Sequence, residues 1–246
     1  MRKLFTFAVA LVTSAQVTYY QNFEQEASGW VSDGSWTTER MGYYVSSETV
    51  LASYATSEAT TNMLTSPEFN VGSVDAGSTM KVKLRALFSN AKILVAVAVD
   101  GNVNNPVVVA NTAVEMGDWK TLSINFFTQQ SLSGSHKIQF LFMLTNSVGA
   151  ETILLLDDFS ILPANTYMAA FSPHAKNVSD TMSARVINDG TFILPECKYT
   201  RPYAEFAYWA VADDDTVVMA NPTDILSGIT SNINVYAVWK HYIAFD

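Results

Sequence analysis

Apolar and polar residues alternate along much of this chain, and turn signals separate the alternating segments. Lys81-Val82-Lys83-Leu84-Arg85 sets three cations on one face of a strand and apolar residues on the other. Ile93 to Val99 is a nearly continuous apolar run, as expected of a strand covered on both faces. It stops at Asp100-Gly101, a pair that favours a tight turn. Leu122, Ile124 and Phe126 share one face of the next strand, and Ile138, Phe140, Phe142 and Leu144 share one face of another. Ile153 to Ile161 completes the series. Strands at this spacing, with no convincing amphipathic helix, predict an antiparallel sandwich of two sheets.

After Leu162 the pattern restarts. Pro163-Ala164-Asn165-Thr166 is a short, turn-prone link, and we place a domain boundary there. Strands are predicted at Ala184 to Ile187, Thr191 to Leu194, Glu205 to Val211 and Ile233 to Trp239. The two parts are not copies of each other. With 49% hydrophobic and 15% charged residues, both can fold around real cores. Fourteen Phe, eleven Tyr and five Trp suit half-buried strands better than helices.

The N-terminus reads as an address. Arg2 and Lys3 precede an apolar stretch from Leu4 to Val12, and Thr13-Ser14-Ala15 supplies small residues for cleavage. Residues 1–15 are therefore expected to be a signal peptide, and the mature chain to be secreted or displayed on a cell surface. The apolar stretch is too short to span a bilayer. Cleavage leaves 12 Lys and Arg against 23 Asp and Glu, a formal charge of −11. That acidity argues against nucleic acid as a partner. A single Cys197 cannot form an internal disulfide or half of a redox pair, and is expected to be a small buried residue.

Two resemblances emerge. Asn22-Phe23-Glu24, Gly29-Trp30 and Asp33-Gly34-Ser35-Trp36 look like the opening of the jelly-roll modules in carbohydrate-binding, MAM-type and cleaved-adhesin domains. Thr65-Ser66-Pro67-Glu68-Phe69, Gly117-Asp118-Trp119-Lys120 and Leu154 to Ile161 resemble later landmarks of the same modules, in the same order. This resemblance implies a jelly-roll binding module over residues 16–162. The part from 167 to 240 resembles the Listeria–Bacteroides repeat, a small β-grasp-like module of internalin-type surface proteins. That likeness rests on Asp189-Gly190-Thr191, Ile193-Leu194-Pro195, Phe206 with Trp209, and Val235-Tyr236-Ala237-Val238-Trp239-Lys240. Ala204 and Tyr208 stand where the repeat usually has glycine. The fold class expected is all-β, a jelly-roll sandwich followed by a β-grasp-like module.

Calcium is the leading candidate for site chemistry, because it takes several hard oxygen ligands. The first strand of a jelly roll lies beside its last, which brings Glu24 towards Asp157 or Asp158. Adjacent residues on a strand face opposite ways, so only one of the two aspartates is expected on the face of Glu24. The resembling carbohydrate-binding modules carry a structural calcium in this region. Trp36 and Tyr44 are the candidate ligand contacts, since Trp and Tyr join an apolar face to a polar edge. The early loops also supply Trp30, Tyr43 and Tyr54, and Trp30 is expected to be buried. Trp209 and Trp239 are expected in the second core. Asp213-Asp214-Asp215 matches no calcium-loop spacing and reads as a solvated turn. Asn177-Val178-Ser179 is a glycosylation sequon.

No nucleophile elbow, metal-binding His pair or phosphate loop occurs, and His136, His174 and His241 lie in unrelated contexts. The sequence therefore points to a non-catalytic, adhesin-like binding protein whose partner is a glycan or an extracellular protein. The competing expectations are a structural spacer without a specific ligand, and an accessory module of a secreted hydrolase.

Overall fold

The computed structural model describes residues 16–23, 28–40, 49–55, 61–126, 135–145, 151–213 and 216–241. In chain order the strands begin with β1 (Tyr19–Gln21), β2 (Val31–Ser32), β3 (Trp36–Arg40), β4 (Thr49–Ala55), β5 (Thr61–Thr65) and β6 (Phe69–Val71). A 3-10 turn at Ser73–Asp75 leads to β7 (Thr79–Leu87), β8 (Ala91–Val99) and β9 (Val107–Val114). The sandwich ends with β10 (Lys120–Ile124), β11 (His136–Thr145) and β12 (Thr152–Leu162). The second module holds β13 (Thr166–Ser172), β14 (Arg185–Asn188), β15 (Phe192–Ile193) and β16 (Ala204–Asp213). It closes with β17 (Thr216–Ala220), β18 (Ile225–Leu226) and β19 (Ile233–His241).

The chain is all-β, as the alternation implied. One sheet of the sandwich runs β10-β7-β12-β4-β3, and the other runs β2-β5-β11-β8-β9. Their long strands are each shared by two short ones. β4 pairs with the first half of β12 and β1 with its last residues, while β5 and β6 divide β11 in the same way. The first strand thus lies beside the last, Tyr19 opposite Ile161 and Gln21 opposite Phe159. Alternation decides what faces inward. Met80, Val82, Leu84 and Ala86 of β7 are buried, and so are Ile138, Phe140, Phe142 and Leu144 of β11. Phe159 sits at the centre of this core with ring centroids of Tyr19, Trp30, Phe69, Phe140 and Phe142 between 5.0 and 6.2 Å away. Each such side chain contributes about 1.5–3 kcal/mol by leaving water. Ile93 to Val99 is covered on both faces as expected, since Ala96 and Ala98 pack with Leu141 outside the core.

The second module is a five-stranded sheet, β14-β13-β19-β16-β17, with a two-stranded β15-β18 ribbon. β13 and β19 run parallel at its middle. Trp209 is fully buried against Phe171, Tyr199 and Phe206, and its Nε1 donates to the Pro195 carbonyl at 2.9 Å. Trp239 is partly buried and donates to the Pro173 carbonyl at 2.8 Å. Gly190 is required where it stands. It has φ +66°, and a Cβ there would meet the Ile229 carbonyl oxygen at 2.6 Å. The link is shorter than expected, because β13 already begins at Thr166. Three strands of seven or more residues, β4, β9 and β13, are not among those the alternation predicts: Thr49 to Ala55, Val107 to Val114 and Thr166 to Ser172. Cys197 is partly exposed rather than buried, and burial of its thiol side still raises its pKa.

Candidate functional site: the outer face of the first sheet

β7 turns its apolar residues inward, so Lys81, Lys83, Arg85 and Leu87 line the outer face. Residues directly across a ladder share a face, which extends this row sideways. On β10, Thr121 lies opposite Lys83 and Ser123 opposite Lys81. On β12, Ile153 lies opposite Leu87, Leu155 opposite Arg85, Asp157 opposite Lys83 and Ser160 opposite Lys81. Tyr54 of β4 lies opposite Ile153 and is 52% exposed. The result is a strip about 20 Å long, at 3.3 Å per residue from Lys81 to Leu87. Its two ends differ in chemistry.

One end is aromatic and apolar. Val50, Ala52 and Leu155 form a buried floor, and the partly exposed Leu87, Trp119 and Ile153 pack on it. Trp119 and Tyr54 are the aromatic side chains with exposed surface here. The other end is polar, and a β-bulge builds it. Asp158 and Phe159 together oppose the single Val82, so the register shifts between Asp157 and Ser160. Asp158 takes φ +48°, a conformation that Asp tolerates better than most residues. Its backbone N–H donates to Asp157 Oδ1 at 2.8 Å. The bulge corrects the expectation that adjacent aspartates face opposite ways: Asp157 lies across from Lys83, and Asp158 Oδ2 is 3.1 Å from Lys83 Nζ.

Both aspartates are buried, and their partners explain how. Besides Lys83, Asp158 accepts a hydrogen bond from the Tyr20 hydroxyl of β1. Burial first, then the negative charge of Asp158, pushes the Tyr20 hydroxyl well above its usual value near 10. Tyr236 of the second module also bears on it, so this cluster lies at the joint between the two modules. Glu24 lies outside the described residues. Asp157 and Asp158 by themselves do not suit calcium: Asp158 already holds an ammonium and a hydroxyl donor, and an ammonium beside it repels a second cation. Among the described residues no group of three His, Cys, Asp or Glu side chains comes together.

The remaining sequence candidates separate. Trp36 is 5% exposed, opposite the buried Ser53 on the inward face of β3, and offers no face to a ligand. That corrects its assignment as a contact; the alternation Trp36, Thr38, Arg40 did not reveal which side faced the core. Tyr44 lies outside the described residues. Trp30 packs against the core as expected, and its Nε1 donates to the Tyr19 hydroxyl at 3.1 Å. Trp119 and the cations of β7 were visible in the sequence as landmarks of strands. Their convergence was not, because it depends on the pairing of β7 with both β10 and β12.

Where the strip meets the second module there is a recess of about 350 Å³. Lys81, Lys83, Thr121, Ser123 and Asp158 line it from the sandwich, Ser231 and Asn232 from the second module. The opposite outer face of the sandwich is different, with Val31, Met63 and Val108 exposed at 62, 39 and 54%.

Neither a family model nor a curated protein matches the chain. The likeness of the second module to the Listeria–Bacteroides repeat therefore rests on the residues that suggested it. Among solved structures, the K1 cleaved adhesin domain of Lys-gingipain from Porphyromonas gingivalis is 14% identical, with a TM-score of 0.46 over 60% of this chain and 98% of that one. A xylan-binding domain from Paenibacillus barcinonensis is 16% identical, with a TM-score of 0.41 over 59% and 99%. A family 11 carbohydrate-binding module from Clostridium thermocellum is 12% identical, with a TM-score of 0.40 over 61% and 97%.

Proposed function

We propose that the chain is a non-catalytic binding protein that takes a glycan along the outer face of its first sheet. One observation carries this reading. A single open strip joins partly exposed aromatic rings, Trp119 and Tyr54, to a set of hydroxyl, amide and ammonium donors at Thr121, Ser123, Asn232 and Lys81. A sugar ring needs both: an apolar face to lie against an aromatic plane, and partners for its hydroxyls. A shallow strip also suits an extended chain better than a small enclosed substrate.

The same geometry disfavours hydrolysis. Glycosidases need two carboxyl groups flanking a bond, whereas Asp157 and Asp158 are neighbours on one bulge, and Asp158 is held by Lys83 and Tyr20. Export is part of the reading, supported by the basic, apolar and small-residue order of residues 2–15. Calcium is not required by it.

The test is an array of glycans and extracellular-matrix proteins probed with the mature chain, in calcium and in chelator. We expect selective glycan binding in both conditions. Trp119→Ala should weaken it by about tenfold, the equivalent of ~1.4 kcal/mol. Binding confined to proteins, or no binding by a folded sample, would leave the spacer role in its place.

A further inference from the structure

We propose that the recess at the module joint is a subsite for an anionic sugar substituent, a carboxylate or a sulfate, so that the bound glycan is acidic. This rests on the glycan reading above and adds the class of sugar. The argument begins with Lys81. It lies on the outer face of β7 and lines the recess, and no carboxylate comes within ion-pair distance of it among the described residues. Its neighbour is instead the ring of Tyr167, with Nζ 5.0 Å from the centroid. An aromatic face offsets only part of an ammonium's lost hydration. Burial accordingly lowers the proton affinity of Lys81 below its usual value of 10.5. The other cation of the recess, Lys83, is already matched by Asp158.

The surroundings of Lys81 are rich in donors. Thr121 and Ser123 bring hydroxyls from β10. Asn232 Oδ1 accepts a hydrogen bond from the Met168 backbone N–H at 3.0 Å, and among the described residues its amide N–H groups have no other partner and face a ligand's oxygens as donors. Directly across the ladder from Lys81, Ser160 is fully buried, and its hydroxyl has no hydrogen-bond partner among the described residues. Such a hydroxyl is uncommon in a folded protein, but it is closed off from the recess and is not part of its lining. An anion with several oxygen acceptors answers the Lys81 ammonium by charge and the Thr121, Ser123 and Asn232 donors by hydrogen bonding. Because Asn232 belongs to the second module, the bound anion touches both modules.

The experiment compares three oligosaccharides of equal length by titration calorimetry against the mature protein. They are an oligogalacturonate, its fully methyl-esterified form and a sulfated oligosaccharide. We expect at least one anionic oligomer to bind tenfold or more tightly than the ester, with affinity falling as salt rises. Lys81→Met should remove that preference, bringing the anionic oligomers down to the affinity of the ester measured with the same variant, and Lys81→Arg should retain it. Asn232→Asp keeps the acceptor for Met168 yet sets a negative charge in the recess, so it should abolish the preference in a folded protein. Equal binding of ester and anionic oligomers, or a preference that survives Lys81→Met and Asn232→Asp, overturns the subsite and leaves the glycan reading intact. Absence of binding by all three, with none on the glycan array either, overturns both.

Discussion

In the sandwich two sheets press their inner faces together, and the aromatic core around Phe159 is supplied from both sides. The second module has one five-stranded sheet, and its apolar face is closed by short pieces: β15, β18 and the segment carrying Tyr199. The first arrangement spreads burial over many long strands. The second centres on Trp209, which meets Phe171, Tyr199 and Phe206. A smaller core centred on one large ring under thin cover is expected to yield more sharply to a single truncation. Between the two lies a third kind of environment, the polar joint of Tyr20, Lys83, Asp157 and Asp158. Its partners come from β1, β7 and β12, so it belongs structurally to the sandwich while the second module covers it.

The largest effect that separates the modules is expected at Trp209. Trp209→Ala should cost about 3–5 kcal/mol, through lost transfer energy and the cavity left behind. Denaturation followed by far-ultraviolet circular dichroism and core-Trp fluorescence should resolve an early step for the second module, with the sandwich transition in place. One unbroken transition shifted as a whole would mean that the modules fold as a unit. Next comes the joint. Lys83→Met leaves Asp158 buried without its cation and should cost about 3 kcal/mol, because removing one member of a buried pair is worse than removing both. Lys83→Met with Asp158→Asn should therefore be less destabilised than the sum of the two single changes. Additivity in that cycle would show that the pair contributes no coupling.

The smallest effect is a change in pH dependence. The folded protein holds the Tyr20 proton more tightly than the unfolded chain does, since its value is raised above 10. The stability from that hydroxyl is complete below about pH 10 and is lost as pH rises above it. Tyr20→Phe should lose roughly 1.5–3 kcal/mol at neutral pH, the scale of a hydrogen bond to a charged group. It should also show a shallower fall in stability above pH 10 than the parent protein. Parallel curves would place the alkaline sensitivity on another tyrosine.

Much of this architecture was legible in the sequence, for a physical reason. Where one face of a strand is buried, alternation fixes which residues point inward, and Lys81-Val82-Lys83-Leu84-Arg85 did so without ambiguity. Trp36 was misjudged because its strand, Trp36 to Arg40, carries polar residues on both sides of a single buried ring. The bulge at Asp158 was invisible, since nothing in Leu156-Asp157-Asp158-Phe159 marks where an extra residue enters the ladder. That bulge is what gathers both carboxylates beside Lys83. The recess was invisible too, because Lys81 and Asn232 stand in different modules and line one recess only in the folded chain.

The claim that ties these regions together is that the outer face of the first sheet is the binding surface. Covalent side-chain footprinting of the mature protein, with and without a saturating glycan from the array, tests it most directly. The account predicts protection of Tyr54, Trp119 and Lys81, with Val31, Met63 and Val108 on the opposite face labelled equally in both states. Protection of Met63 and Val108, with Trp119 and Lys81 unchanged, would contradict it and move the binding surface to the other sheet.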